Sequence, residues 1–250
     1  MAVLTMDFHS RELKMNTLVC VAFPDSVRIE NMPLSQRKVL WLLHGLSDDG
    51  SAWLRHSRIE QYAQEYGLVV VMPSAGRSMY CDDVYGQNYF KHIADELPEY
   101  LSLVFGLSRK REDNFIAGLS MGGLGAAKIA LTYPERYAAM GSFSGLLHLG
   151  PMVFALNDDL MKEFAFMLSA LEDIDNTPLN PTALLDVEKD KNLKIYISCG
   201  KQDELLIANY AFKERADELG IKANYVFEDG THEWELWNKN VKEFLGFVMR

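Results

Sequence analysis

The chain has 250 residues, 48% of them hydrophobic and 24% charged, which is typical of a soluble globular protein with a sizeable core. Its formal net charge of −10 argues against a nucleic-acid partner or an anionic membrane surface, because both bind cationic faces. No apolar run is long enough to span a membrane and residues 1–10 lack the pattern of a signal peptide, so we expect one cytoplasmic domain over 1–250 without membrane insertion.

Apolar segments alternate along the chain between strand-like and helix-like patterns. In chain order, we predict an antiparallel edge pair over 3–9 and 13–23, a strand over 38–43, a helix over 59–66, a strand over 68–72, a helix over 89–105 kinked or split by Pro98, a strand over 114–118, a helix over 121–132, strands over 137–143 and 193–199, a helix over 205–219, a strand over 224–228 and a helix over 233–248. This alternation predicts an α/β fold with a mostly parallel sheet and helices on both faces. Sites in such folds lie at the carboxyl ends of the strands.

Residues 146–190 interrupt the alternation, with a predicted helix over 160–171 and a turn-rich stretch around Pro178 and Pro181. The segment fits either a small helical cap over the site or a surface excursion.

The chain has three cysteines, Cys20, Cys81 and Cys199, which are odd in number and widely spaced. We therefore expect reduced core residues, and neither a disulfide framework nor a metal site.

The run Asn114–Gly123 (NFIAGLSMGG) is a short apolar strand leading into a G-x-S-x-G motif centred on Ser120. This pattern is typical of a sharp strand-to-helix turn that exposes a nucleophilic serine, with small residues where the backbones crowd. The same pattern also fits a glycine-rich turn without chemistry. The rest of the chain favours the catalytic interpretation.

A serine hydroxyl needs a base, and the base needs an acid to orient it. His232 is the candidate base, because it lies in the loop between the last strand and the last helix. Asp203, three residues after an apolar strand and a glycine, is the candidate acid. Glu204 is its nearest rival, and Asp175 and Asp229 are weaker ones.

An oxyanion hole needs two backbone N–H donors. Met121, directly after the serine, is one candidate. Leu46 is the other, because it follows the His44-Gly45 pair that ends the strand over 38–43. We interpret His44 as a structural or loop-orienting histidine, since a position at a strand end suits proton transfer to Ser120 less well than that of His232.

Five segments together resemble the esterase D group of α/β-hydrolases, which includes S-formylglutathione hydrolases, tributyrin esterases and mycolyltransferase-like enzymes. They are HGLSDDGSAW at 44–53, SMYCD at 78–82 with DELP at 95–98, GLSMGG at 118–123, SFSG at 142–145 and GTHEW at 230–234. The short length and the His-Glu-Trp ending are most similar to small bacterial tributyrin-esterase-type carboxylesterases. The resemblance implies an α/β-hydrolase fold, a triad of Ser120, Asp203 and His232, an oxyanion hole from Leu46 and Met121, hydrolysis of short acyl esters, and no metal or organic cofactor.

The loop after the His-Gly pair departs from that of formylglutathione hydrolases, which usually carry a Cys-Thr pair where this chain has Leu46-Ser-Asp-Asp-Gly50. A simple carboxylic ester therefore ranks above a glutathione thioester. Loop position alone suggests four residues for the substrate pocket: Asp49, Trp53, Tyr80 and Phe143.

Other functions remain open at this point. The same residues would serve several other reactions: deacetylation of sugars, cleavage of cinnamoyl esters, and thioesterase, acyltransferase or peptidase activity. A non-catalytic binding protein would keep only the fold. The predicted partner is a small acyl ester, and homo-oligomerisation is left open.

Overall fold

A computed structural model describes residues 1–25, 31–83, 86–150, 177–186 and 192–249. Within these ranges the strands are β1 (Ala2–Ser10), β2 (Met15–Phe23), β3 (Val39–Leu43), β4 (Val69–Pro73), β5 (Asn114–Leu119), β6 (Ala139–Phe143), β7 (Lys194–Gly200) and β8 (Asn224–Glu228). The α-helices there are α1 (Ala52–His56), α2 (Ile59–Tyr66), α3 (Tyr89–Lys91), α4 (Leu97–Phe105), α5 (Met121–Thr132), α6 (Pro181–Leu184), α7 (Leu206–Glu218) and α8 (Trp234–Val248).

All strands of the described ranges join one sheet in the order β1-β2-β4-β3-β5-β6-β7-β8. β2 runs antiparallel to both of its neighbours, and the remaining pairs from β4 to β8 are parallel. The predicted α/β class and the antiparallel edge pair are therefore confirmed. The central strands β3, β4, β5 and β6 are buried at every position, as expected for parallel strands covered on both faces.

Two apolar layers cover the sheet. One face packs against α4, α5 and α7, and the opposite face packs against α1, α2 and α8. Glycines in the left-handed conformation end α2 at Gly67 and α4 at Gly106, where φ is 68° and 69°. The predicted helix over 59–66 and its stop at Gly67 are confirmed.

The predicted break in the helix over 89–105 is confirmed, but it lies one turn earlier than Pro98. A π-helical turn, His92–Glu96, separates α3 from α4. Pro98 has no N–H to donate to the carbonyl of Ala94, and the guanidinium of Arg136 donates to that carbonyl instead, at 3.1 Å. Arg136 therefore satisfies the acceptor that the proline leaves open.

Most of the predicted cap over 146–190, including the expected helix over 160–171, lies outside the described residues. Within the described part of that segment, α6 packs against α5 and α7.

The β5–α5 turn depends on close backbone contact with the end of β3. A Cβ at Gly122 would lie under 3.0 Å from the carbonyl oxygens of Leu43 and His44. We therefore expect Gly122→Ala to lower the free energy of unfolding by about 1–3 kcal/mol, measured by urea denaturation.

Gly246 in α8 is the matched control, because a Cβ there meets only the Tyr66 hydroxyl at 3.6 Å. Gly246→Ala should raise the free energy of unfolding by about 0.5–1 kcal/mol, since alanine loses less entropy than glycine in a helix. Equal effects of the two substitutions would show that the contact at Gly122 is not constrained.

Candidate active site

Ser120 occupies a strained turn between β5 and α5. Its φ of 52° and ψ of −118° lie outside the regions that non-glycine residues favour. Its N–H donates to the carbonyl of Phe143 at 2.9 Å, which ties the turn to β6. The turn places the serine side chain at the N-terminus of α5, where the helix dipole favours developing negative charge.

His232 lies beside the serine. Its Nε2 is 3.0 Å from the Ser120 Oγ, and its Nδ1 is 2.9 Å from Oδ2 of Asp203. An ionised carboxylate only accepts hydrogen bonds, so Nδ1 carries the proton and Nε2 presents a lone pair to the serine hydroxyl. The structure therefore joins the three predicted residues in one chain of hydrogen bonds.

Asp203 is 5% exposed and also accepts a hydrogen bond from the N–H of Leu205 at 2.9 Å. Burial alone would raise the pKa of this carboxyl, but hydrogen bonds and charge from His232, with the Ser144 hydroxyl and the Leu205 N–H, outweigh burial and lower it. Asp203 is thus held as a carboxylate next to His232.

The rival acids lie elsewhere. Glu204 is exposed, and Asp229 is 85% exposed and pairs with Lys201 at 3.5 Å. Asp175 lies outside the described residues. Among the acids with described positions, only Asp203 contacts the ring of His232.

The loops carrying Asp203 and His232 are bonded to each other. The N–H of Gln202 donates to the carbonyl of Gly230 at 3.1 Å, and the Gln202 side chain accepts from the N–H of Gly230 at 2.8 Å. Trp237 packs its ring edge-on against His232, with centroids 4.8 Å apart. The role of Gln202 was not predictable from the sequence, because no pattern distinguishes a polar loop residue that joins two loops from one that faces solvent.

The two predicted oxyanion donors flank the serine. Met121 is the first residue of α5, where N–H groups have no acceptor within the helix. Leu46 lines the same cleft as Ser120, and a Cβ built on Gly45 would lie 3.6 Å from the Ser120 Cβ. His44 is fully buried, and both of its ring nitrogens are bonded to the backbone: Nε2 accepts from the Ala75 N–H at 2.8 Å, and Nδ1 lies 2.7 Å from the Gly45 carbonyl oxygen.

An open cleft of about 940 Å³ contains Ser120 and His232. The described residues that line it are Gly45, Leu46, Ser47, Asp48, Leu119, Ser120, Gln202, Asp203, Glu204, Leu205, Thr231, His232, Glu233, Trp234 and Trp237.

The four residues suggested for the pocket do not line this cleft, so that interpretation is wrong. Trp53, Tyr80 and Phe143 are fully buried in the protein interior. Asp49 turns away to accept hydrogen bonds from the backbone and side chain of Ser51, at 2.8 and 2.6 Å. Loop position placed these residues near the site, but large aromatic side chains are buried more readily than they are exposed.

Comparison with known proteins identifies the family. A family model described as "Putative esterase" matches residues 10–247. The chain belongs to this esterase family. An acetyl esterase of Caldicellulosiruptor saccharolyticus is 30% identical over 255 residues, covering 96% of this chain and 96% of that protein.

Two solved structures from Staphylococcus aureus are similar over the whole esterase chain. Fluorophosphonate-binding serine hydrolase F (FphF) superposes with a TM-score of 0.89 at 31% identity, covering 100% of this chain and 98% of that one. The S-formylglutathione hydrolase FrmB superposes with a TM-score of 0.86 at 31% identity, covering 100% and 99%. The protein is therefore an esterase D-type α/β-hydrolase and a carboxylic ester hydrolase. None of its described helices is long and apolar enough to cross a membrane.

Two buried histidines of this esterase make its stability depend on pH. Burial lowers the pKa of His44, although the Gly45 carbonyl, Asp48 and Asp49 act to raise it. Burial also lowers the pKa of His92, although Glu96 and Glu12 act to raise it. A histidine whose pKa is lowered in the folded state binds protons more readily in the unfolded state. Its contribution to the free energy of unfolding is therefore complete above the unfolded-state pKa of about 6.5 and is lost as the pH falls below that value.

We therefore expect the free energy of unfolding to fall between about pH 7 and pH 5, and His92→Gln to make that dependence shallower. Urea denaturation across this range measures the slope. The exposed His9 supplies the surface comparison His9→Gln. A slope that His92→Gln does not alter would contradict the assignment.

Proposed function

We propose that this esterase is a serine carboxylesterase that hydrolyses short-chain acyl esters through an acyl-enzyme, with Ser120 as nucleophile, His232 as base and Asp203 as the orienting acid. The observation that carries the proposal is the chain of hydrogen bonds from Ser120 Oγ through the imidazole to the buried carboxylate. The acetyl esterase relative supports a short acyl group.

In the first half-reaction, Ser120 Oγ attacks the ester carbonyl carbon while its proton passes to His232 Nε2. The carbonyl electron pair moves to oxygen, and the N–H groups of Leu46 and Met121 stabilise that oxyanion. The imidazolium then gives its proton to the leaving alcohol as the carbon–oxygen bond breaks, which leaves the acyl group on Ser120. Asp203 stabilises the transient positive charge.

In the second half-reaction, water takes the place of the alcohol. His232 accepts a proton from water, the hydroxyl oxygen adds to the acyl carbon, and collapse of the intermediate returns the proton to Ser120. The products are a carboxylic acid and free enzyme, so no cofactor is needed for the balance of atoms.

The charge of the cleft favours an uncharged leaving alcohol over glutathione. Asp48, Glu204 and Glu233 line the cleft together with Asp203, and no Lys or Arg is among its described lining residues. Arg77 reaches only its rim, donating to Ser47 Oγ at 2.7 Å. Glutathione carries a net negative charge, so it would be repelled. The likeness to FrmB keeps a formylglutathione thioester as the second candidate substrate.

Ser120→Ala should reduce hydrolysis of p-nitrophenyl acetate by roughly 10⁴-fold or more, because the nucleophile is lost while the oxyanion donors remain. Initial rates of hydrolysis by the purified, folded variant measure this reduction.

Asp203→Asn should also reduce kcat by orders of magnitude, because the amide favours the wrong imidazole tautomer. Glu204→Gln, the adjacent control, should remain within a few-fold of the unmodified enzyme.

Full activity in Ser120→Ala would refute the proposed nucleophile. A collapse of activity in Glu204→Gln with a mild effect of Asp203→Asn would instead transfer the role of the acid to Glu204.

Substrate charge provides a separate prediction. The double variant Glu204→Gln, Glu233→Gln should raise kcat/KM for S-formylglutathione a few-fold and leave kcat/KM for an uncharged acetyl ester nearly unchanged, because two repulsive carboxylates are removed. Added salt should reduce the difference between the two enzymes by screening. An unchanged ratio between the two substrates would show that cleft charge does not select the leaving group.

A further inference from the structure

Three consecutive backbone carbonyls, beginning at the last residue of β3, each accept a hydrogen bond from a buried side chain. The indole Nε1 of Trp53 donates to the Leu43 carbonyl at 3.0 Å, and the Tyr80 hydroxyl donates to the His44 carbonyl at 3.0 Å. Nδ1 of His44 lies 2.7 Å from the carbonyl oxygen of Gly45. Trp53, Tyr80 and His44 are all 0% exposed, and we call them the carbonyl clamp.

The direction of the third hydrogen bond follows from the other ring nitrogen. The N–H of Ala75 donates to Nε2 of His44, so Nε2 holds a lone pair and Nδ1 holds the proton given to Gly45. Because Nε2 accepts from the Ala75 N–H, the ring is neutral in this arrangement. Burial also lowers the pKa of His44, although the Gly45 carbonyl, Asp48 and Asp49 act in the opposite direction. The ring is thus fixed in a single tautomer.

The hydrogen bond from His44 holds the peptide between Gly45 and Leu46, and the bonds from Trp53 and Tyr80 hold the two peptides before it. In a trans peptide the carbonyl and the next N–H point in opposite directions, and the described residues contain no cis peptide bond. The Gly45 carbonyl is held toward the buried His44 ring, so the Leu46 N–H faces the other side. Gly45 and Leu46 line the cleft beside Ser120.

The segment that carries Tyr80 is held in an unfavourable conformation. Met79 and Tyr80 have φ of 51° and 52°, in the left-handed region that L residues rarely adopt in succession. The buried ammonium of Lys128 donates to the Tyr80 carbonyl at 3.2 Å, and Ser78 Oγ accepts from the Tyr80 N–H at 3.1 Å. Since Lys128 belongs to α5, the helix that begins next to the nucleophile also holds Tyr80 in place.

We propose that Trp53, Tyr80 and His44 are positioning residues that fix the Leu46 N–H as the second oxyanion donor. This inference rests on the proposed function. It assigns to the two aromatic residues a role in catalysis without contact with the substrate.

The test uses Tyr80→Phe, which removes one hydroxyl and keeps the ring. A short-chain trifluoromethyl ketone serves as the probe: Ser120 Oγ adds to its carbonyl carbon, the proton passes to His232, and the carbonyl electron pair becomes an oxyanion in the hole. We expect kcat/KM for p-nitrophenyl acetate to fall about tenfold, mainly through kcat, and the affinity for the ketone to fall by the same factor.

Tyr196→Phe is the matched control, because its buried hydroxyl bonds Glu243 at 3.1 Å, away from the clamp. It should lower thermal stability to a similar extent without changing kcat/KM or ketone affinity. Equal kinetic losses in the two variants, or a loss of kcat/KM in Tyr80→Phe with unchanged ketone affinity, would overturn the clamp. Neither result would affect the proposed function, which fails only if the activity does not depend on Ser120.

If Tyr80→Phe does not fold, two variants of His44 decide the question. The amide nitrogen of asparagine can replace Nδ1 as the donor to Gly45, whereas glutamine places its polar end near Nε2. His44→Asn should therefore bind the trifluoromethyl ketone more tightly than His44→Gln does. Equal or reversed affinities would overturn the proposal.

Discussion

The close approach of α5 to the end of β3 is the contact on which the site depends. Gly122 has no side chain, so the first turn of α5 can lie against the carbonyls of Leu43 and His44. This contact brings the serine turn and the loop carrying Leu46 to the same place, although they are far apart in the sequence. A bulkier residue at 122 would separate the nucleophile from the loop that is proposed to receive the oxyanion.

Charge at the site is arranged in two layers around His232. The buried carboxylate of Asp203 lies behind the imidazole, held ionised by donors that outweigh the effect of burial on its pKa. Backbone N–H groups at the start of α5 lie in front, on the side where negative charge would develop. A proton transfer from Ser120 to His232 therefore moves positive charge toward the carboxylate and negative charge toward the donors, and both movements are favourable.

Much of this architecture is predictable from local pattern. Helix α5 has the bounds that the G-x-S-x-G run indicates. Ser120, His232 and Asp203 could be predicted to lie together because each follows an apolar strand at the same edge of the sheet. Parallel strands impose this regularity, since their carboxyl ends share one side of the sheet. Pro98 indicates that the helix is interrupted, but it does not indicate where. The π-helical turn that interrupts the helix lies one turn before the proline.

The roles of Trp53, Tyr80 and Phe143 were not predictable. Their motifs place them near the site, but whether an aromatic side chain faces a cleft or the core depends on packing between distant segments. Tyr80 reaches the His44 carbonyl only through two left-handed residues in succession, which sequence pattern does not indicate. Hydrogen bonds from side chain to backbone over long sequence separations are the part of the site that requires a structure.

We propose that the hydrogen-bonded arrangement of Ser120, His232 and Asp203 makes one hydroxyl strongly nucleophilic. The most direct measurement is the intact mass of the folded enzyme after reaction with a fluorophosphonate, followed by peptide mapping and repeated with His232→Gln. We expect a single phosphonyl adduct on Ser120 that forms much more slowly in the variant. A folded enzyme that stays unmodified, or one that carries the adduct on a different residue, would contradict it.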